Sequence, residues 1–372
     1  MGAPLCGRNC DVLNSRQRRV EGAELTESRT IVAPRRATNR VRVGVRLRIA
    51  LPLLILGLVV ALLIGLYVGY QPLDLAALTS DPIARAVFFR LRLPRVLMAG
   101  IVGASLAMVG AALQALFRNP LADPFTLGVS GGAALGASMA IALGVGLNLA
   151  GIPIIFIAAF AGAGLSVLLV YRLAHSGGGA MLPGALLLSG VVLNLFASAG
   201  VLLIQYLVSY GRDVQILRWL IGSLDVVGFD LLWKMLILLV PGWLVLAAYA
   251  RDLHLLATGE DSAASLGVDV RRTERIVFIA SSLIVGVTVS VGGAIGFVGL
   301  IVPHAARLFF GQDVRVLLPT SFLIGAAFLI LADTVARVAI SPGELPVGAI
   351  TALLGAPIFL LLVRKQQRYS AL

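Results

Sequence analysis

From residue 49 onward the chain alternates apolar runs of membrane-spanning length with short polar connectors. The runs fall near 49–69, 94–116, 125–147, 152–172, 184–208, 231–250, 275–294, 296–310, 316–338 and 347–363. Crossing a bilayer takes about 20 helical residues. The eighth run, around Ile301, is short and contains Pro303, so it predicts a tilted or partial helix. Ten crossings bring both chain ends to the same side. Backbone groups in hydrocarbon must be bonded internally, and runs of this length do so as helices. The pattern predicts an all-α polytopic membrane protein of about ten transmembrane helices.

Composition agrees. Hydrophobic residues make up 59%, charged residues 13%, and the mean hydropathy is +0.98, far from the roughly 25% charged residues of a soluble domain. The 41 glycines suit membrane helices that approach through small residues. Residues 1–48 differ: they are polar, carry eleven arginines and offer no apolar core. They predict a disordered basic cytoplasmic tail, before a membrane-spanning body at 49–364 and a short C-terminal tail at 365–372. Arg18-Arg19 is no twin-arginine signal, because EGAELTE follows where an apolar segment is required. Met1-Gly2 lacks the Ser or Thr of a myristoylation motif. Both cysteines, Cys6 and Cys10, lie in this tail, so no disulfide ties the membrane body together.

The net charge of +12 reads as topology rather than nucleic-acid binding. With the tail inside, the inner loops hold Arg118, Arg172, Arg251, Arg271, Arg272, Arg275, Arg307 and Arg315. They are joined at the C-terminus by Arg364, Lys365 and Arg368, as the positive-inside rule requires. The excess is small once the tail is set aside, because Arg85, Arg90, Arg92 and Arg95 cluster on the outer side. Topology does not need them there. They are candidates for binding something acidic, with snorkelling to headgroups as the plain alternative.

The longest polar interruption after the first run is Arg251–Arg275, RDLHLLATGEDSAASLGVDVRRTER. It predicts a short helix ending near Gly267, a handle on the water side. On the second run, Gly103, Ala107 and Ala111 recur at four-residue spacing and predict close helix packing. Gln114 is polar near the inner end of that run, where it bridges helices or lines a path. FRNPLADPFTLG follows, a stiff turn with Pro120 and Pro124. In GVSGG, Ser130 with His304 as a distant partner is a weak case for a membrane protease. No GxxxxGK[ST] phosphate loop occurs, and Gly292, Gly293, Gly296 and Gly299 predict helix packing or a break between spans. His175, His254 and His304 lack ligand spacing, so no metal or other cofactor is expected. Asp333 and Arg337, four apart, predict a brace near the outer end of the ninth run, with Glu344 in the loop beyond.

Three blocks carry a resemblance that spans nearly all of 88–364. They are RLPRVLMAGIVGASLAMVGAALQALFRNPLADPFTLGVSGGAALG, LATGEDSAASLGV, and the stretch from GAIGFVGLIVPHAARL through LPTSFLIGAAFLILADTVAR to GELPVGAITALLGAPIFLLL. RWLIGSL at Arg218–Leu224 adds a smaller match. With these the chain resembles the FecCD-type membrane permeases of bacterial ATP-binding-cassette (ABC) importers for iron–siderophores, haem and cobalamin. The resemblance implies the ten-helix fold of a type II ABC importer, like that of cobalamin-importer permeases. It implies a second permease subunit, identical or not, two separate ABC ATPases, and an extracytoplasmic substrate-binding protein, all at the cytoplasmic (inner) membrane.

Carried over by position, Arg92, Arg95 and Arg337 would meet acidic residues of the binding protein. Coupling helices at about 254–268 would bear on the ATPase, through Glu260, Ala263, Ala264, Leu266 and Gly267. Asn119, Pro120 and Leu121 match an inner-gate loop, with Gln114 close by. A second gate position, often a pair of small hydroxyl residues, is Pro183-Gly184 here and departs from the family pattern. The chain is then expected to be a transport subunit and no enzyme by itself. Iron–siderophore is the favoured cargo, haem or cobalamin the alternative. An ion-coupled carrier built on Asp333, or a protease built on Ser130, are the rivals of other classes.

Overall fold

A computed structural model describes the backbone of residues 36–69, 80–149, 151–174, 183–224, 228–340 and 343–370. Side chains at 36–49, 126, 174, 183 and 361–370 fall outside that description, as do Cys6, Cys10, Arg18, Arg19 and His175. The chain divides into two units, Met1–Arg48 and Ile49–Leu372. Of the first unit, the described part is helical backbone from Arg36 onward.

Seven helices are long and apolar enough to cross a membrane, and three apolar helices are shorter. The chain begins with α1 (Arg36–Tyr67), whose apolar part is Ala50–Tyr67. Next come α2 (Pro82–Val87), a π-helical turn at Phe88–Arg92, and α3 (Leu93–Leu116). A 3-10 turn at Pro124–Leu127 leads into α4 (Val129–Ala142). A two-residue antiparallel ladder pairs β1 (Asn148–Leu149) with β2 (Ile152–Pro153), in register Asn148 to Pro153, before α5 (Ile154–Ala174). Then follow α6 (Pro183–Leu207), α7 (Tyr210–Ile221), α8 (Asp230–Ala248), α9 (Ala250–Leu256) and α10 (Glu260–Ser265). The last four are α11 (Val270–Gly292), α12 (Val298–Phe310), α13 (Val314–Val338) and α14 (Val347–Ser370).

The centre of the bundle is α3, buried along nearly its whole length. In lipid, helices associate through packing rather than by escaping water, so backbones must come close. They do so where the small-residue spacing predicts. A Cβ on Gly103 would collide with the carbonyl of Gly325 on α13, and one on Gly110 with Gly299 on α12. Ala107 and Ala111 are fully buried on the same helix. Trp243 of α8 locks its side of α3 by donating from Nε1 to Ser105 Oγ at 3.1 Å. The same ring meets Phe322 of α13 edge-on, with centroids 5.0 Å apart. By contrast α1 and α6 are mostly uncovered, and α6 presents Leu188, Val192, Leu195, Phe196 and Leu203 outward.

Several predicted elements differ. The third run, expected as a full span at 125–147, contains a 14-residue helix only about 21 Å long, because Pro124 and the left-handed Gly128 use up its start. The eighth run is short, as Pro303 suggested, at 13 residues. The glycines at 292–296 mark a break: α11 ends at Gly292, Gly293 takes φ +68, and α12 begins at Val298. Arg271, Arg272 and Arg275 lie inside the first turns of α11, which Asp269 caps by accepting from Arg272 N at 3.0 Å. The segment holding RWLIGSL, expected as an outer loop, is largely the amphipathic helix α7, which runs to Ile221 and stops at Gly222.

Candidate functional site

Two charged clusters sit at opposite ends of α3. At its start, the π-helical turn inserts one extra residue per turn and so re-aims the arginines that follow. Arg92 donates from Nη1 to the carbonyl of Leu66 at 3.1 Å. Arg95 reaches across to α13: its Nε donates to Asp333 Oδ1 at 3.1 Å, and its Nη1 to Glu344 Oε2 at 2.7 Å. Asp333 is 0% exposed, and its other oxygen faces Arg337 Nε at 3.0 Å, an ion pair whose angle misses hydrogen-bond geometry. Arg337, at 7% exposure, also donates from Nη2 to Gly65 O at 3.0 Å and to Thr334 Oγ1 at 3.2 Å. The brace read from the i, i+4 spacing of Asp333 and Arg337 is therefore present, and Arg95 completes it. Three guanidinium groups gather here against two carboxylates, which leaves this end of the bundle cationic.

The other end is built on the exit of α3. Gln114 is buried and donates from Nε2 to Gly299 O at 3.2 Å and Leu300 O at 3.4 Å, so it bridges α3 to α12. Its Oε1 has no hydrogen-bond partner among the described residues. Arg118 takes φ +50, a left-handed conformation uncommon for any residue but glycine. After it, Asn119 Oδ1 accepts from Leu121 N at 2.9 Å, and Ala122 N donates to Asn119 O at 3.1 Å, which makes Asn119-Pro120-Leu121 a tight turn. Asp123 accepts from Phe125 N at 3.4 Å, and burial pushes its carboxyl up to about 6 against that hydrogen bond. Pro183 is the first residue of α6, and Gly184 beside it is exposed.

Beside this turn lie α9 and α10, the outcome for the polar interruption at 251–275. The expected short helix is α10, and α9 precedes it across Gly259, where φ is +129. Gly267 lies just past the second piece at φ +84, with Val268 N donating to Ala263 O at 3.1 Å, the left-handed termination that its position suggested. Ala263 is fully buried. Ala264 and Gly267 face outward, and Leu266 does so at 53% exposure, a large apolar side chain on a six-residue helix. The Arg118 guanidinium is ion-paired with the Glu260 carboxylate. Glu274 of α11, 7% exposed, feels both charges. His254 of α9 lies 3.8 Å from Asp313, which caps α13 by accepting from Arg315 N at 3.0 Å. Burial works against the Asp313 carboxylate, but the Arg315 hydrogen bonds and the His254 charge hold it below its ordinary range.

The Arg118–Glu260 and His254–Asp313 pairings had not been read from the sequence. Only the opposite charges of Arg118 and Glu260 hinted at the first, and nothing in the linear pattern brings residues 142 positions apart together. No hydrogen bond joins Ser130 to His304 among the described residues, and the same residues hold no cluster of metal-ligating side chains.

A polytopic helical body with a short helical handle at one end and a cationic rim at the other defines the class: a multi-span helical membrane protein. The comparisons carry this further. The FecCD transport family matches residues 53–365, and the chain belongs to that family. The chain is 46% identical over 285 residues to the "Cobalamin import system permease protein BtuC" of Halobacterium salinarum, covering 76% of this chain and 75% of that one. It is 37% identical over 326 residues to the "Hemin transport system permease protein HmuU" of Yersinia pestis, covering 85% and 97%. Among solved structures, a metal-chelate type ABC transporter in an inward-facing conformation superposes with TM-score 0.75 at 34% identity, covering 84% of this chain and 97% of that one. The protein is an ABC importer permease.

Proposed function

We propose that the chain is the transmembrane subunit of a binding-protein-dependent importer, carrying iron–siderophore chelates across the cytoplasmic membrane and driven by separate ATPase subunits. The observation that carries the reading is α10: a six-residue helix fixed underneath by Ala263, with Ala264 outward on it and Leu266 and Gly267 outward just past its end. A short helix held from below on a charged connector suits a protein partner that pushes. ATP binding in that partner would shift the handle and switch access by rigid-body movement. At the far end, Arg92 and Arg95 would meet acidic residues of the binding protein. Arg337 would serve from beneath by holding Asp333, and through it the position of Arg95. The uncovered face of α6 suits a second permease subunit within the membrane.

The metal-chelate type transporter among the structural neighbours supports a metal chelate as cargo, a class that includes ferric siderophores as well as the haem and cobalamin that the named relatives raise. Asp333 between two guanidinium groups suits a fixed carboxylate better than the titrating group of an ion-coupled carrier. The test is uptake into liposomes holding the complete complex with its binding protein, against a panel of ferric siderophores, haem and cobalamin. ATP-dependent accumulation of a ferric siderophore is expected. Accumulation of haem or cobalamin alone would overturn the cargo, and uptake driven by a proton gradient without ATP would overturn the mechanism.

A further inference from the structure

Arg118 joins two observations that the functional reading leaves unused. Its backbone is in the left-handed region, at φ +50, a conformation that L-residues hold only when the surroundings impose it. Its guanidinium is ion-paired with Glu260, the first residue of α10. The turn that begins at the next residue is the Asn119–Leu121 loop, closed on itself by the Asn119 side chain. Behind the pair stands Glu274, a second carboxylate on α11 that interacts with both partners. Arg118 is also tied back to α3, since its N–H donates to Ala115 O at 3.3 Å and Asn119 N donates to Gln114 O at 3.2 Å.

We propose that Arg118 is a positioning residue that links α10 to the Asn119–Leu121 loop, so that displacement of the short helix moves the loop. It rests on the reading above that α10 receives the ATPase and that the loop gates the path. Two features support the link. The left-handed backbone of Arg118 sets the Asn119–Leu121 turn directly after the residue whose side chain is ion-paired with Glu260. The pairing reaches from the exit of α3 to the start of α10, 142 positions along the chain.

The test uses the whole chain assembled with its ATPase in liposomes, reading transport per ATP hydrolysed. Arg118→Asn removes the charge but tolerates the left-handed backbone, and Arg118→Lys keeps the charge. Arg118→Asn is expected to assemble and hydrolyse ATP normally while losing roughly fivefold in transport per ATP, the low end of coupling between sites. Arg118→Lys should keep most of it. Full coupling in Arg118→Asn, or a loss in Arg118→Lys as large as that in Arg118→Asn, overturns the link. A second measurement needs no ATPase: the alkylation rate of Leu121→Cys in the chain alone, with Cys6 and Cys10 replaced by serine. The rate should change when Arg118→Asn is added and return with Arg118→Lys; an unchanged rate refutes the proposal. If the unaltered chain fails to assemble with the ATPase, the functional reading falls, while the labelling result still decides whether Arg118 holds the loop.

Discussion

Replacing Asp333 by asparagine tests the buried cluster directly. The carboxylate is 0% exposed and faces Arg95 Nε at 3.1 Å and Arg337 Nε at 3.0 Å. Removing one partner of a buried ion pair costs about 3–5 kcal/mol, because the remaining charge stays buried without compensation. Here each cation keeps something: Arg95 retains Glu344, and Arg337 retains the Gly65 carbonyl and Thr334 Oγ1. The low end applies, so Asp333→Asn should lose about 3 kcal/mol and unfold several degrees earlier in detergent. Adding Arg337→Gln removes one of the stranded charges. The double variant should therefore be more stable than the two single losses summed, by a coupling of roughly 0.5–3 kcal/mol. Glu344, 49% exposed, is a control: Glu344→Gln should cost less than about 1 kcal/mol. Thermal unfolding followed by intrinsic fluorescence reads the parent, the two single variants Asp333→Asn and Arg337→Gln, their double variant and Glu344→Gln. If Asp333→Asn unfolds like the parent, the cluster does not brace α3 against α13 and the electrostatic account of that end is wrong.

Gly110→Val should abolish accumulation of folded protein, since its Cβ would land on the backbone of Gly299 and neither helix can yield; detergent-extracted yield by size exclusion checks it, and normal yield would refute the close crossing. Asp123 carries a pH signature: its folded pKa, about 6, lies above the ordinary 3.8, so the folded state binds the extra proton. Stability should then fall as pH rises from about 4 through about 6 and level off above. Asp123→Asn should flatten that slope in unfolding curves taken across the range. Arg92→Glu should weaken binding-protein affinity in a salt-dependent way, measured by titration at low and high salt; unchanged affinity would remove Arg92 from the docking surface.

How much of this was legible in the sequence depended on the range of the interaction. Apolar run length marked where nearly every membrane helix lies, because the requirement for internally bonded backbone acts along a single segment. The Gly103–Ala107–Ala111 spacing marked a packing face for the same reason: periodicity is local even when the partner is not. The failures are also local in cause. Pro124 and Gly128 shorten the third run, and the amphipathic helix α7 hid inside a segment too polar to register as a span. Capped by Asp269, α11 starts at Val270, five residues ahead of the expected start, so charged residues that look like loop are the first turns of a helix.

The site residues divide along the same line. Arg337 and Asp333 sit four apart on one helix, and their pairing could be read from spacing alone. That Arg95 completes the cluster could not, because it depends on how α3 crosses α13. That crossing is set by Gly103 meeting Gly325, a contact between two glycines 222 positions apart that neither sequence neighbourhood announces. The same logic holds at the other end. Glu260 and Arg118 each looked like ordinary loop charges; their pairing depends on α9 and α10 folding back beside the exit of α3. The consequence is that the two charged ends are not independent decorations of a neutral bundle. Both are anchored on α3, one through Arg95 and the other through Arg118, so a rigid, almost wholly buried helix stands between the cationic rim and the handle. The left-handed Arg118 marks the point where that helix gives way to the Asn119–Leu121 turn.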